Sequence, residues 1–163
     1  NKLGFEYDDE GSLACTGKLN KDLLDELDAI DYYRESYPKS LGFEFVKDVI
    51  FPMIDKYQLP EVDVLCTFGF HVVRQICANL KNENAKVLIT GGGANNKFII
   101  FNILGNMMRL RMEVPTKDIL DFKEALIFGF LGVLKLRNEV NVLASVTGAV
   151  HDHSSGEIYL YKV

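Results

Sequence analysis

The chain has 163 residues, 48% of them hydrophobic and 25% charged, with a formal net charge of −5. That is enough chain to bury one sizeable core, and the composition is that of an ordinary globular protein. The acidic balance and the lack of any Lys/Arg run argue against a nucleic-acid surface, and the longest apolar stretch, Ala125 to Leu136, falls short of the roughly 20 residues that span a bilayer.

Residues 1–18 read as irregular, with the turn-forming run Asp8-Asp9-Glu10-Gly11 ahead of a short Leu13-Ala14-Cys15 segment. Asn20 is a good N-cap for a first helix carrying Leu23, Leu24, Leu27 and Ile30 on one face. Tyr32 to Lys39 forms a connector that Pro38 helps to end, and Ser40 then caps a second helix through Leu41, Phe45, Val49, Ile50, Met53 and Ile54. Pro60 and Glu61 open a third helix with Val62, Leu65, Cys66, Val72, Val73, Ile76 and Leu80. Gly69 inside it costs about 1 kcal/mol relative to alanine.

The second half alternates. A strand over Val87–Thr90 runs into Gly91-Gly92-Gly93-Ala94-Asn95-Asn96, and a helix follows through Phe98, Ile99, Ile103, Leu104 and Met107. Arg109 to Val114 reads as a second strand closed by Pro115, and a further helix runs from about Phe122 to Leu136. The β-type stretch Ile158-Tyr159-Leu160-Tyr161 ends the chain. This order indicates an α/β layer with neighbouring parallel strands.

Three cysteines, Cys15, Cys66 and Cys77, make an odd count without metal-ligand spacing. Cys66 and Cys77 on one helix stand about 16 Å apart at 1.5 Å per residue, too far to bridge. Reduced, mostly buried thiols in a cytoplasmic protein are the simplest reading. His151-Asp152-His153 lies in a polar loop and lacks the further ligands of a metal site; no metal ligand is assigned. His71, on a mostly apolar helix, reads as a half-buried, hydrogen-bonded side chain.

The glycine turn is the strongest functional signal. Without Cβ atoms a ligand can approach the backbone, and the positive end of the following helix favours an anion. Three readings compete: a sharp turn with no ligand, a dinucleotide site and an adenosine site. Gly91-x-Gly93 opens a dinucleotide fingerprint and Glu113 stands near its ribose-binding acid, but Asn96 occupies the third glycine position. A Walker-type loop also fails, because no Gly-Lys-Ser/Thr follows.

Thr90-Gly91-Gly92-Gly93-Ala94-Asn95-Asn96 resembles the adenosine-contacting turn of the actin-like ATPase superfamily. Pro38-Lys39-Ser40-Leu41-Gly42, Asn141-Val142-Leu143-Ala144-Ser145-Val146-Thr147-Gly148-Ala149, and Lys123-Glu124-Ala125 at the start of an apolar helix resemble anhydro-N-acetylmuramic acid kinases, in that family's order. The match covers about Gly11 to Ala149. Thr67-Phe68-Gly69-Phe70 replaces a more polar stretch of the family, and Ala144 stands where proline is usual.

The resemblance implies an α/β fold of the ribonuclease H-like, actin-like ATPase type, with helices packed on a mixed sheet. It implies a single domain over 1–163, the C-terminal half of a two-domain kinase. The phosphate-binding loop and the catalytic Asp, in an Asp-Thr-Gly-Pro type motif, would precede Asn1, so no catalytic residue is expected here. The family reaction opens the 1,6-anhydro ring of anhydro-N-acetylmuramic acid and phosphorylates the sugar with ATP and Mg²⁺, in cell-wall recycling. This half would hold adenosine on Gly91, Gly92, Gly93, Ala94 and Asn95, and one side of the sugar through Glu124. On a residue reading alone, Glu124 is equally a helix-start carboxylate near the dipole's positive end. Lys39 with Ser40 and Thr147 with Gly148 are lesser candidates for ligand contact. The expected partners are the amino sugar, ATP and the missing N-terminal domain, with no nucleic acid, no membrane, and a homodimer left open. The isolated chain is expected to lack kinase activity. The alternatives are a non-catalytic ATP-binding or interaction module of the same superfamily and a nicotinamide-dependent enzyme built on Gly91–Gly93.

Overall fold

A computed structural model describes residues 3–36, 39–80 and 86–159. The chain divides into two compact units, residues 1–35 with 41–116 and residues 36–40 with 117–163.

The first unit is helical with a small sheet. Asp8 nucleates its opening helix α1, Ser12–Thr16, its carboxylate accepting from the Leu13 and Ala14 amides at 2.8 and 3.0 Å. Residues 12–16 are thus helical rather than irregular, because a side chain takes up the backbone donors that a short helix leaves open. Helix α2, Lys21–Asp28, starts where expected, with the Asn20 side chain accepting from the Leu23 amide at 2.9 Å. Its apolar face, Leu23, Leu24 and Leu27, is buried almost completely.

A 3₁₀ turn, Asp31–Arg34, follows. Pro38 lies outside the described residues. The next helix does not begin at Ser40: Gly42 is extended (φ −96°, ψ 170°) and α3, Phe43–Phe45, follows it, continuing through a π-turn, Val46–Ile50, into α4, Phe51–Asp55. The wide turn sits just ahead of Pro52. Proline has no N–H to donate and its ring crowds the carbonyl four residues earlier, so the helix loosens there.

Helix α5, Glu61–Asn79, is the spine of this unit. Gly69 is required in it by packing, since a Cβ there would stand 2.6 Å from the Phe98 ring. Strands β1, Lys86–Leu88, and β2, Arg111–Glu113, pair in parallel with Val87 opposite Met112. Both are shorter than the periodicity predicts: Thr90 has already left β1, and Arg109 and Val114 lie outside β2. Between them runs α6, Lys97–Asn106. Val73, Ile103, Met107 and Leu110 form one core cluster, and Ala14, Cys66 and Phe98 a second.

The second unit is built on α7, Lys117–Leu136, which begins five residues earlier than Phe122. Thr116 precedes it and Asp118 lies in its first turn, the residue types that favour a helix start. No residue of α7 is buried; Phe122, Leu126, Phe128 and Phe130 are all at least 60% exposed. A short helix α8, Ala144–Thr147, ends at Gly148 in the left-handed conformation (φ 73°). Ile158 and Tyr159 form no strand, and Leu160 and Tyr161 lie outside the described residues. The extended contact in this unit is instead an isolated antiparallel bridge between Val142 and His153. Among the described residues, no helix is long and apolar enough to cross a membrane.

Candidate functional site

The glycine turn is a strand exit followed by a 3₁₀ turn. The Ile89 amide still donates to the Glu113 carbonyl at 2.9 Å, which fixes the end of β1 against β2. Gly91 then adopts φ 82°, ψ 176°, a region closed to side-chain-bearing residues. Gly92–Asn95 make the 3₁₀ turn, with the Ala94 amide donating to Gly91 O at 3.0 Å and the Asn96 amide to Gly93 O at 3.1 Å. No atom lies within 4 Å of where a Cβ would stand on Gly91, Gly92 or Gly93. Internal packing therefore does not explain these glycines. They leave an open strip of backbone that a flat or bulky ligand can lie against.

The helix terminus is set one turn further on. Asn96, with φ −77° and ψ 95°, caps α6 by accepting from the Ile99 amide at 3.1 Å. One of the helix's open donors is thus already taken, and Gly92 and Gly93 belong to a separate 3₁₀ turn ahead of the helix, not to its first turn. This departs from the expected direct alignment of the dipole with the three glycines. Ala94 is buried and acts as the turn's anchor, while Asn95 is exposed.

Spacing did not reveal what braces the turn from behind. The Asp8–Gly11 loop packs there, with Gly11 (φ 78°) against the Asn96 side chain and Phe98, and Lys97 Nζ pairs with Glu10 Oε2 at 2.6 Å. Asp8-Asp9-Glu10-Gly11 is legible as a turn; its position 87 residues from Lys97 is a tertiary fact. The altered stretch Thr67-Phe68-Gly69-Phe70 is also accounted for. Thr67 is fully buried and its hydroxyl accepts from the Asn20 amide at 3.0 Å. Phe70 packs edge-on against Phe98, with ring centroids 5.2 Å apart. That stretch is core beside the first turn of α6.

Beneath the turn, α5, α6 and the two strands enclose an apolar pocket of about 240 Å³ lined by Val72, Ile76, Val87 and Ile103, among others, with Thr90 and Gly93 in its wall.

Glu124 belongs to the second unit, exposed and about two turns inside α7 rather than at its start. The dipole's influence fades within the first turn, so stabilisation of the helix end does not account for this acid. Ser40 is exposed and does not cap a helix; Lys39 is half-buried. Thr147 and Gly148 close α8: Thr147 Oγ1 donates to Leu143 O at 2.9 Å and the Gly148 amide to Ala144 O at 2.9 Å.

The His151–His153 loop is structural. Asp152 accepts from the Ala144 amide at 2.7 Å, and His153 exchanges backbone hydrogen bonds with Val142. Among the described residues no group of three or more His, Cys, Asp or Glu side chains could hold a metal ion. The three cysteines are free: Cys66 is buried, Cys77 half-buried, and Cys15 exposed, contrary to the expectation of mostly buried thiols. Burial pushes the Cys66 and Cys77 thiols up, with Asp63 and Cys15 adding to the effect at Cys66, which disfavours the reactive thiolate at both.

The family model for anhydro-N-acetylmuramic acid kinase matches residues 1–161. A relative of that name from Clostridioides difficile (strain 630) is 31% identical over 164 residues, covering 94% of this chain and 43% of the relative. Relatives of the same name from Cupriavidus metallidurans and Coxiella burnetii are each 28% identical, covering 96% of this chain and 43% and 44% of their own lengths. The chain thus spans less than half the length of the curated relatives it matches.

Proposed function

The chain belongs to the anhydro-N-acetylmuramic acid kinase family, and on that premise we propose that it is the C-terminal half of an ATP-dependent sugar kinase. The whole enzyme would open the 1,6-anhydro ring of anhydro-N-acetylmuramic acid and phosphorylate the released sugar in the cytoplasm, in cell-wall recycling. The observation that carries this reading is the open glycine turn in a chain that matches the family to residue 161.

In this proposal adenosine lies along Gly91, Gly92, Gly93, Ala94 and Asn95. The turn suits that role because it is both open and rigid. It is held by β1–β2 pairing at one end, by the Asn96 cap at the other, and by Glu10–Lys97 behind. A preformed surface loses little freedom on binding. Glu124 would accept hydrogen bonds from sugar hydroxyls and so orient the acceptor. The phosphate-binding loop and catalytic Asp are assigned to the N-terminal domain of the same protein, and the sites here supply positioning. Mg²⁺ would neutralise charge on the transferring phosphoryl group. Among the described residues no group of three or more His, Cys, Asp or Glu side chains could hold the ion, and we assign its coordination to the N-terminal domain.

The fold proposed is the ribonuclease H-like, actin-like ATPase type. A two-stranded parallel sheet supports this, since parallel strands are normally inner members of a larger sheet covered on both faces. The test is calorimetry and turnover on the full-length protein with ATP, NAD and anhydro-N-acetylmuramic acid. ATP and sugar binding with ATP-dependent phosphorylation is expected. ATP binding without sugar binding would favour a non-catalytic module, and NAD binding alone would return the turn to a dinucleotide role.

A further inference from the structure

Helix α7 carries apolar side chains on two sides. Leu120, Leu131 and Leu134 are half-buried. Ile119, Phe122, Leu126, Gly129, Val133 and Leu136 recur in alternating steps of three and four, which lines them up along another side. None of these six positions is polar. The row is open along its length: its five large residues are between 37% and 69% exposed, and no atom lies within 4 Å of where a Cβ would stand on Gly129. Phe130, also exposed, flanks it. At 1.5 Å per residue this apolar seam runs for about 26 Å. A helix on the outside of a globular protein keeps its outward side polar, and here the outward side is apolar.

The area of the seam bears on what covers it. At roughly 200 Å² for a large apolar residue, the five large residues and Phe130 leave about 600–700 Å² in water. The largest apolar patch on a typical monomer is about 300–600 Å², so the seam is a contact surface. A stable pairing with a second copy needs about 800 Å² on each partner, more than the seam supplies even when wholly covered. A domain on the same polypeptide reaches it without the loss of free motion that two separate molecules incur, and interfaces within one chain start at about 600 Å². The chain also spans less than half the length of its curated relatives, which leaves a partner of that kind to be placed.

We propose that the Ile119–Leu136 side of α7 is the seam on which the N-terminal half of the same protein docks. This rests on the reading of the chain as a C-terminal half and adds where the other half meets it. Gly129, midway along, lets the partner's backbone come close between Leu126 and Val133. Glu124 is not one of the seam positions, so docking leaves it free for the sugar contact assigned to it. Covering the seam fixes α7 against the half to which the catalytic Asp is assigned, with Glu124 carried on the same helix.

The test places the photoreactive residue benzoylphenylalanine at Phe122 or at Val133, one at a time, in the full-length protein without ATP or sugar. After irradiation, mass spectrometry locates the crosslinked peptides, and a denaturing gel separates internal crosslinks from those that double the mass. Internal crosslinks from both positions to residues N-terminal to Asn1 are expected. Crosslinks between copies, crosslinks confined to residues 1–163, or none at all would each overturn the proposal. Leu126→Glu gives a second reading, since glutamate forms helix about as readily as leucine. It should speed hydrogen exchange along α7 about tenfold or more, the effect of withdrawing one buried leucine, and leave α5 and α6 unchanged. Unchanged exchange along α7 also overturns the seam, and the crosslinks decide the matter if this variant does not fold. Neither readout uses a ligand. Failed crosslinking with ATP-dependent phosphorylation intact strikes the seam alone, and the reverse strikes the kinase reading alone.

Discussion

Replacing Gly91 with alanine separates backbone strain from crowding. A Cβ at Gly91 meets nothing within 4 Å, so steric overlap contributes nothing. The whole penalty comes from φ 82°, ψ 176°, and holding a side-chain-bearing residue there costs about 1–3 kcal/mol. Gly92→Ala is the control: its Cβ also enters open space, and its φ lies outside the left-handed region. Reduced freedom of the unfolded chain should make that change neutral or stabilising by about 0.4–1 kcal/mol. The readout is hydrogen exchange at Ala94 and Asn96, whose amides close the turn on Gly91 O and Gly93 O. Gly91→Ala should speed their exchange about 5- to 160-fold, the range equivalent to 1–3 kcal/mol, and Gly92→Ala should not. In the same full-length proteins Gly92→Val, which fills the open strip, should lower ATP affinity without loosening the turn. Equal exchange in Gly91→Ala and wild type would refute the strain argument. Unchanged ATP affinity in Gly92→Val would refute the placement of adenosine.

Gly69→Ala sets a Cβ against the Phe98 ring and should destabilise by about 1–3 kcal/mol in urea unfolding; Phe98→Leu in the same chain should recover part of that loss if the contact is the cause. Asn96→Ala removes the cap of α6 and should cost about 1 kcal/mol, read as faster exchange in the first turn of that helix. Glu124→Ala should weaken sugar affinity more than ATP affinity in calorimetry, and equal losses would contradict its assignment to the sugar. Burial acts to raise the Asp28 pKa, but hydrogen bonds from Arg74, His71 and Gln75 outweigh it and hold the carboxyl below its ordinary value. Its contribution is present above the unfolded value and disappears as pH falls through the folded one. Asp28→Asn should therefore flatten the acid limb of the stability profile. Purified 1–163 should not turn over the anhydro-sugar.

Local chemistry explains which elements were legible. Asn20 and Asn96 announce α2 and α6 because an N-cap acts within three residues of itself. The parallel pairing of β1 and β2 followed from the intervening helix. Boundaries failed where a competing local rule won. Gly42 kept the chain extended past Ser40, and Thr116 with Asp118 started α7 before its apolar run begins. Gly69 looked like a weakness because its reason, the Phe98 ring, lies 29 residues away. The Glu10–Lys97 brace and the hydrogen bonds that tie buried His71 to Asp28 and Tyr33 join residues far apart in sequence, so no periodicity could reveal them.

Displacing α7's start by five residues changes what Glu124 has to explain. As a helix-start carboxylate it would gain a few tenths of a kcal/mol from the dipole and need no further role. About two turns inside the helix that gain is gone, and the acid sits among Phe122, Leu126, Ile127 and Phe128. In the kinase proposal the hydroxyls of a bound sugar donate to this carboxylate. Glu124→Gln is the sharper substitution on this logic, since the amide keeps one acceptor oxygen and loses the charge. It should bind sugar more weakly than wild type and more tightly than Glu124→Ala. Full affinity in the Gln variant would show that shape, not charge, is what this position supplies.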